Sequence, residues 1–230
     1  MPSTALTHLD AVPLQRLIAL PGVYRPQADT LLLADALARE PLSPGAQVVE
    51  IGTGTGALAL RAAARGAHVT AVDVAWPAVL AARLNGWRRR LRLRVLHGDF
   101  VDRTRGHRFD LILANPPYVP GPDSRLPTSG AGRAWEAGRE GRAVIDRICT
   151  AAPALLRPGG VLLMVHSGMC GVQKTLALLA GQGLSARVTE RARIPWGPVL
   201  RSRAAWLRQA GLAAEGEDQE ELVVVRAQYA

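Results

Sequence analysis

Asn115-Pro116-Pro117-Tyr118 directly follows a short apolar run, and its four residue types suit one kind of chemistry. A planar NH2 group has its nitrogen lone pair tied up in conjugation and is a poor nucleophile. The Asn115 side-chain oxygen and the Pro116 backbone carbonyl can each accept one of its N–H bonds. That aims the face of the nitrogen at an electrophile and stabilises the positive charge that grows there during transfer. Two successive prolines hold the carbonyl direction, and Tyr118 can pack on the flat group. Asn115, Pro116, Pro117 and Tyr118 are therefore the expected catalytic residues, with Asn115 and Tyr118 also touching the acceptor.

A second set of residues suits an adenosine-bearing cofactor. Glu50-Ile51-Gly52-Thr53-Gly54-Thr55-Gly56 ends one apolar run and opens a helical one. Glycines at such a turn bare the backbone to a ligand. Gly52, Gly54 and Ala57 also satisfy the dinucleotide pattern, so the turn alone admits a nicotinamide or flavin as well as S-adenosylmethionine. Asp73 ends the next apolar run and can accept both ribose hydroxyls, or can instead cap the helix that follows. Asp99 can accept from an adenine amino group, while Phe100 offers a backbone N–H and an apolar wall; His97 reads as a packing residue. Hydride transfer has no use for Asn-Pro-Pro-Tyr, so that motif selects S-adenosylmethionine.

These residues need a sheet to position them. From Gln47 onward, short β-type runs alternate with helical ones, the pattern of a parallel sheet covered on both faces. Strands are expected at 47–51, 68–73, 91–96, 109–114, 160–165, 185–194 and 221–227. Helices are expected at 56–65, 75–85, 142–156, 172–181 and 200–210, with a helical lead at 29–39. Asn85-Gly86 and Pro158-Gly159-Gly160 read as breakers. Residues 119–141 carry many Gly and Pro and no period, the mark of a functional loop. The expected fold is α/β with a class I, Rossmann-like, seven-stranded and mostly parallel sheet. One domain spans 1–230, with 1–45 as lead and 119–141 as substrate loop.

Glu50-x-Gly52-x-Gly54-x-Gly56, Asp73, Asp99 and Asn115-Pro-Pro-Tyr118 resemble the HemK-like protein glutamine methyltransferases. Val23-Tyr24-x-Pro26-x-x-Asp29-Thr30 resembles the lead motif of their short eukaryotic and archaeal branch, with Ala28 where that motif carries an acid. Ala134-Trp135-x-x-Gly138-x-x-Gly141-Arg142-x-x-x-Asp146-Arg147 resembles the segment after their motif. The resemblance implies that Thr30, Glu50, Gly52, Gly54, Gly56, Asp73, Asp99, Phe100 and Asn115 line the cofactor site. Trp135 and Arg142 would meet the substrate. It implies methylation of a glutamine amide in a protein such as a translation release factor, in its Gly-Gly-Gln loop. The alternative is an exocyclic amine of an RNA or DNA base, which the same motif would serve. Only about twenty residues precede the lead motif, so substrate recognition falls to the 119–141 loop, the arginines or a partner. Short members work with a small zinc-binding activator that extends the sheet edge. The run at 91–96 would be that edge, yet Arg92 and Arg94 leave it no apolar stripe.

Composition sets outer limits. The 230 residues are 48% hydrophobic with 4% aromatics, so one core of Leu, Val, Ala and Ile is expected, with a net charge of +9. Lys174 is the only lysine. Arginines crowd residues 83–108 and 187–208, and a positive surface draws RNA, a ribosome or an acidic protein. Cys149 and Cys170 form no CxxC, so neither a disulfide framework nor a metal site is indicated. The first twenty residues lack the basic start of a signal peptide, and no apolar run is long enough for a membrane. A soluble cytoplasmic protein is expected.

Overall fold

Short runs rich in Val, Ile and Leu become strands buried on both faces. The computed structural model describes residues 14–127 and 130–229. Its strands are β1 (Gln47–Ile51), β2 (His68–Asp73), β3 (Leu93–His97), β4 (Phe109–Ala114), β5 (Leu156–Ser167), β6 (Leu184–Pro195) and β7 (Gln219–Tyr229). They form one sheet in the order β3-β2-β1-β4-β5-β7-β6. Only β7 runs against its neighbours. The first thirteen residues of the expected lead lie outside the described part.

Alternation along each strand divides the core. Val48, Leu111, Leu113 and Leu163 point to one face, where they meet Leu33 and Leu37 of α1 (Ala28–Arg39) and Leu58 and Leu60 of α2 (Ala57–Ala64). Val79 of α3 (Trp76–Arg88) joins them. Val49, Ile112, Leu162 and Met164 point to the other, against Ile145 and Ile148 of α5 (Ala143–Leu155) and Leu179 of α6 (Val172–Gly181). A four-residue helix, α4 (Phe100–Arg103), and the pair α7 (Pro198–Ser202) and α8 (Ala204–Gln209) complete the elements. The chain leaves β1 toward β2 on one side and returns as β4 on the other. Their C-terminal ends therefore border a crevice at the point where the strand order reverses.

Three details differ from the sequence reading. Helix α3 runs through Asn85-Gly86 instead of stopping there. Asn85 is buried, exchanging hydrogen bonds with the Ile18 backbone and donating to the Thr55 carbonyl. At Gly86 any side chain would crowd the Leu91 carbonyl. The Asn-Gly pair is there for packing, and the turn falls at Arg90, whose φ is 55°. Strand β5 begins four residues early, through Pro158-Gly159, with an irregular register against β4. The helix expected at 200–210 is two short ones, α7 and α8.

Candidate active site

The turn after β1 is built around the buried Glu50. Its carboxylate accepts from the Thr53 hydroxyl and from the Ala59 N–H at 3.0 Å, tying the strand end to the first turn of α2. Burial pushes the Glu50 carboxyl up to about 8, although those hydrogen bonds pull the other way. Gly52 and Gly54 have φ of 71° and 53°, a region that disfavours side chains. Gly52 and Thr53 donate to the Val72 carbonyl, and the Gly54 N–H donates to Asp73 Oδ2 at 2.9 Å. Asp73 Oδ1 accepts from Ala75 N–H at 2.9 Å, a turn at the strand end; the N-cap of α3 is Ala75, so Asp73 does not cap the helix. Burial raises the Asp73 carboxyl, while the Gly54 and Ala75 N–H groups and the nearby Arg133 draw it back. A carboxylate has about four acceptor sites, so Asp73 can still receive hydroxyl donors.

Asn115 follows β4 and faces Gly52 across the crevice. Its Nδ2 donates to Asp29 Oδ2 at 3.0 Å and to Thr30 Oγ1 at 3.2 Å. The Asp29 oxygen accepts in this contact, which assigns the near end of the amide as nitrogen. Asn115 also lines the cavity. Asp29 is the hub of the arrangement: it also accepts from the Tyr24 hydroxyl at 3.1 Å and the Tyr118 hydroxyl at 3.2 Å. Burial first, and then the Asp29 charge, raises the pKa of both phenols, so both stay protonated donors.

The cavity holds about 710 Å³, within the range of small-molecule sites. Its far wall comes from the 119–141 segment, which folds back on itself. Val119 N–H donates to the Trp135 carbonyl at 2.7 Å and Ala137 N–H returns to Val119. Trp135 lines the cavity, and Arg133 reaches the Val74 carbonyl at 3.3 Å across the mouth. Trp76 and His97 stack with centroids 4.1 Å apart beside Asp73's strand end. His97 is thus a packing residue that also lines the space.

Thr30, Glu50, Gly52, Gly54, Asp73, Asn115 through Tyr118 and Trp135 all line the cavity. Gly56, Asp99, Phe100 and Arg142 do not. At Gly56 the φ is 80° and a side chain would press on Ala82, so it lets α2 approach α3. Asp99 caps α4 through Val101 N–H at 3.0 Å and pairs with Arg147 at 2.7 Å. The Arg147 guanidinium lies over the buried Phe100 ring. Arg142 is 6% exposed. It donates to the carbonyls of Cys170 and Gly171, to Thr175 and to Asp146, fastening α5 to the turn after β5. Its assignment as a substrate contact is corrected to a structural one. Asp29, Tyr24, Arg133 and Trp76 are the cavity residues that residue-by-residue reading did not single out. Only the resemblance of the lead motif touched Tyr24 and Asp29, because the contact of Asp29 with Asn115 spans 86 residues of sequence and Tyr24 joins through Asp29.

Asp29, Glu50 and Asp73 face the cavity with Arg133 as the one guanidinium among its described lining. A ligand carrying positive charge and hydroxyls fits such a surface, and S-adenosylmethionine has a sulfonium, an ammonium and a ribose diol. Known proteins are similar to this chain. The methyltransferase small domain family model matches residues 15–129. A protein of Methanocaldococcus jannaschii named as a protein N5-glutamine methyltransferase is 30% identical over 181 residues, covering 78% of this chain and 90% of the relative. The release factor glutamine methyltransferase of Shewanella oneidensis is 35% identical over 148 residues, 61% of this chain and 52% of its own length. The chain therefore spans nearly all of the archaeal relative and about half of the bacterial one. Among solved structures, the E. cuniculi Mtq2–Trm112 complex, described as methylating the eRF1 termination factor, has a TM-score of 0.64 at 23% identity. It covers 91% of this chain and 99% of the matched chain, a likeness of fold. With that match over nine tenths of an archaeal relative and a family model over half its length, this chain belongs to the S-adenosylmethionine-dependent protein N5-glutamine methyltransferases of the HemK kind.

Proposed function

We propose that the chain methylates the side-chain amide nitrogen of a glutamine in a protein, the Gly-Gly-Gln loop of a translation release factor. The pinning of the Asn115 amide carries this reading. With Nδ2 held by Asp29 and Thr30, Oδ1 is preset to accept one N–H of the substrate amide, and the Pro116 carbonyl takes the other. Those two acceptors stabilise positive charge on the nitrogen as it is alkylated, and they need no reorientation at that moment. S-adenosylmethionine, when bound, supplies an electrophilic methyl carbon on a sulfonium. Asp73 would hold the ribose hydroxyls, the backbone at Gly52 and Gly54 would lie against the amino-acid portion, and Asp29, joined by Glu50 once a bound cation displaces its proton, would balance its charge. Thr30 keeps Asn115 in place. Tyr118 and Trp135 would flank the flat amide, which makes 119–141 the acceptor-facing loop of a single domain.

Release factors act in translation, so we place the enzyme in the cytoplasm. No helix among the described residues is long and apolar enough to cross a membrane. The E. cuniculi protein is seen in complex with Trm112, and a small activator protein is proposed as a partner of this chain as well. The test is transfer of labelled methyl from S-adenosylmethionine to a purified release factor. One methyl on the Gly-Gly-Gln glutamine is expected, and none on a Gln→Glu version, whose carboxylate has no N–H to give two acceptors. Equal labelling of both versions, or labelling of RNA alone, would overturn the glutamine reading in favour of a base amine.

A further inference from the structure

Helix α3 starts at the cavity with Trp76 and ends at Arg88, about 18 Å away at 1.5 Å per residue. The arginine-rich stretch therefore lies at the opposite end of the sheet from the chemistry. There Trp87 is 77% exposed, and Arg88, Arg92 and Arg94 are exposed beside it in sequence. Arg94 lies on the outermost strand β3 and Arg92 just before its first residue, while Arg88 stands on the helix covering the strand's other face. Arg94 also touches His107 at 3.3 Å, joining β3 to the turn before β4. The local acids are committed elsewhere: Asp99 to Arg147, Asp102 to Arg105 and Asp110 to Arg157. Among the described residues none of Arg88, Arg92 and Arg94 forms an ion pair.

The geometry points to an RNA-binding face wrapped around the β3 edge, in which these arginines hold phosphates and Trp87 stacks on a base. Uncompensated guanidinium groups suit a polyanion, and an exposed indole among them suits the open face of a single-stranded base. Residues so far from Asn115 cannot present the bound base for methylation. The face is a tether, independent of the acceptor proposed above, that keeps the enzyme on an RNA-containing partner while the cavity stays free.

The test is fluorescence anisotropy of a labelled 20-nucleotide RNA with the whole chain, without cofactor, between 50 and 200 mM salt. Saturable binding is expected to weaken steeply with salt. In an Arg88→Gln, Arg92→Gln, Arg94→Gln triple variant, affinity should fall at least tenfold and the log–log salt slope should flatten by about 2. Trp87→Ala should weaken binding about tenfold without changing the slope. The matched triple Arg187→Gln, Arg191→Gln, Arg193→Gln, on the opposite sheet edge, should leave both unchanged, and every variant should melt within a few degrees of wild type. Equal loss in the β6 triple would reduce the effect to diffuse charge and overturn the proposal. So would displacement of RNA by polyglutamate at equal charge, which would assign the face to an acidic protein. Absence of saturable binding would do the same. Methylation of a release factor is measured separately, so failure of either reading leaves the other standing.

Discussion

Asn115 makes its expected contribution only in the transition state. Asn115→Ala should leave S-adenosylmethionine affinity within a few-fold by calorimetry while turnover falls by about 10² or more. A rise in the Michaelis constant with turnover intact would remove that role. Asp29 acts through Asn115: Asp29→Ala strands the Asn115 amide and two phenolic hydroxyls. It should destabilise the fold by about 2–4 kcal/mol in denaturant titrations and lower turnover more than it raises the Michaelis constant. Glu50 gives a pH signature. Its carboxyl is raised by burial to about 8, so the folded state keeps a proton that the unfolded chain releases near pH 4.5. The resulting stability is fully present below that pH and is lost as pH rises through about 8. Glu50→Gln should therefore melt above wild type at pH 8.5 and near it at pH 4.5, without cofactor. Glu220, raised by burial to about 7, tilts both curves alike, so the difference between them is the measurement.

Among the elements, the 119–141 loop, proposed to face the acceptor, depends on a residue far along the chain. Arg203, between α7 and α8, donates to the Pro120 carbonyl at 2.9 Å and to Glu136 at 2.5 Å, clasping both limbs of the 119–141 segment. Arg203→Lys replaces a two-pronged fork with a single ammonium. It should raise the Michaelis constant for the protein substrate several-fold with little change in cofactor affinity, measured by steady-state kinetics and calorimetry. This clasp shows where sequence reading stops. Apolar runs and breakers located β1, β2 and β4 to the residue, because burial on both faces leaves a local imprint. The Glu50, Asp73 and Asn115 positions followed, since each sits at or next to a strand end. Asp99, Phe100 and Arg142 carried the right motif spacing but turned to neighbours, Arg147 or the turn after β5, that spacing does not reveal. Asn85-Gly86 misled for the same reason: its breaker composition serves a long-range contact.

At the scale of the whole molecule, the sheet is a partition between two apolar layers, with the cavity at one end and Trp87 and Arg88 at the far end of α3. The strand order has one more consequence. β7 is the last of the described strands in sequence, yet it lies between β5 and β6, with Leu222 through Val225 fully buried. During synthesis every other strand leaves the ribosome before it, so a nascent chain has two unfinished seams where β5 and β6 await a common neighbour. Completion of the sheet is thereby tied to arrival of the final strand, and a ribosome that stalls before residue 219 leaves a product that cannot close.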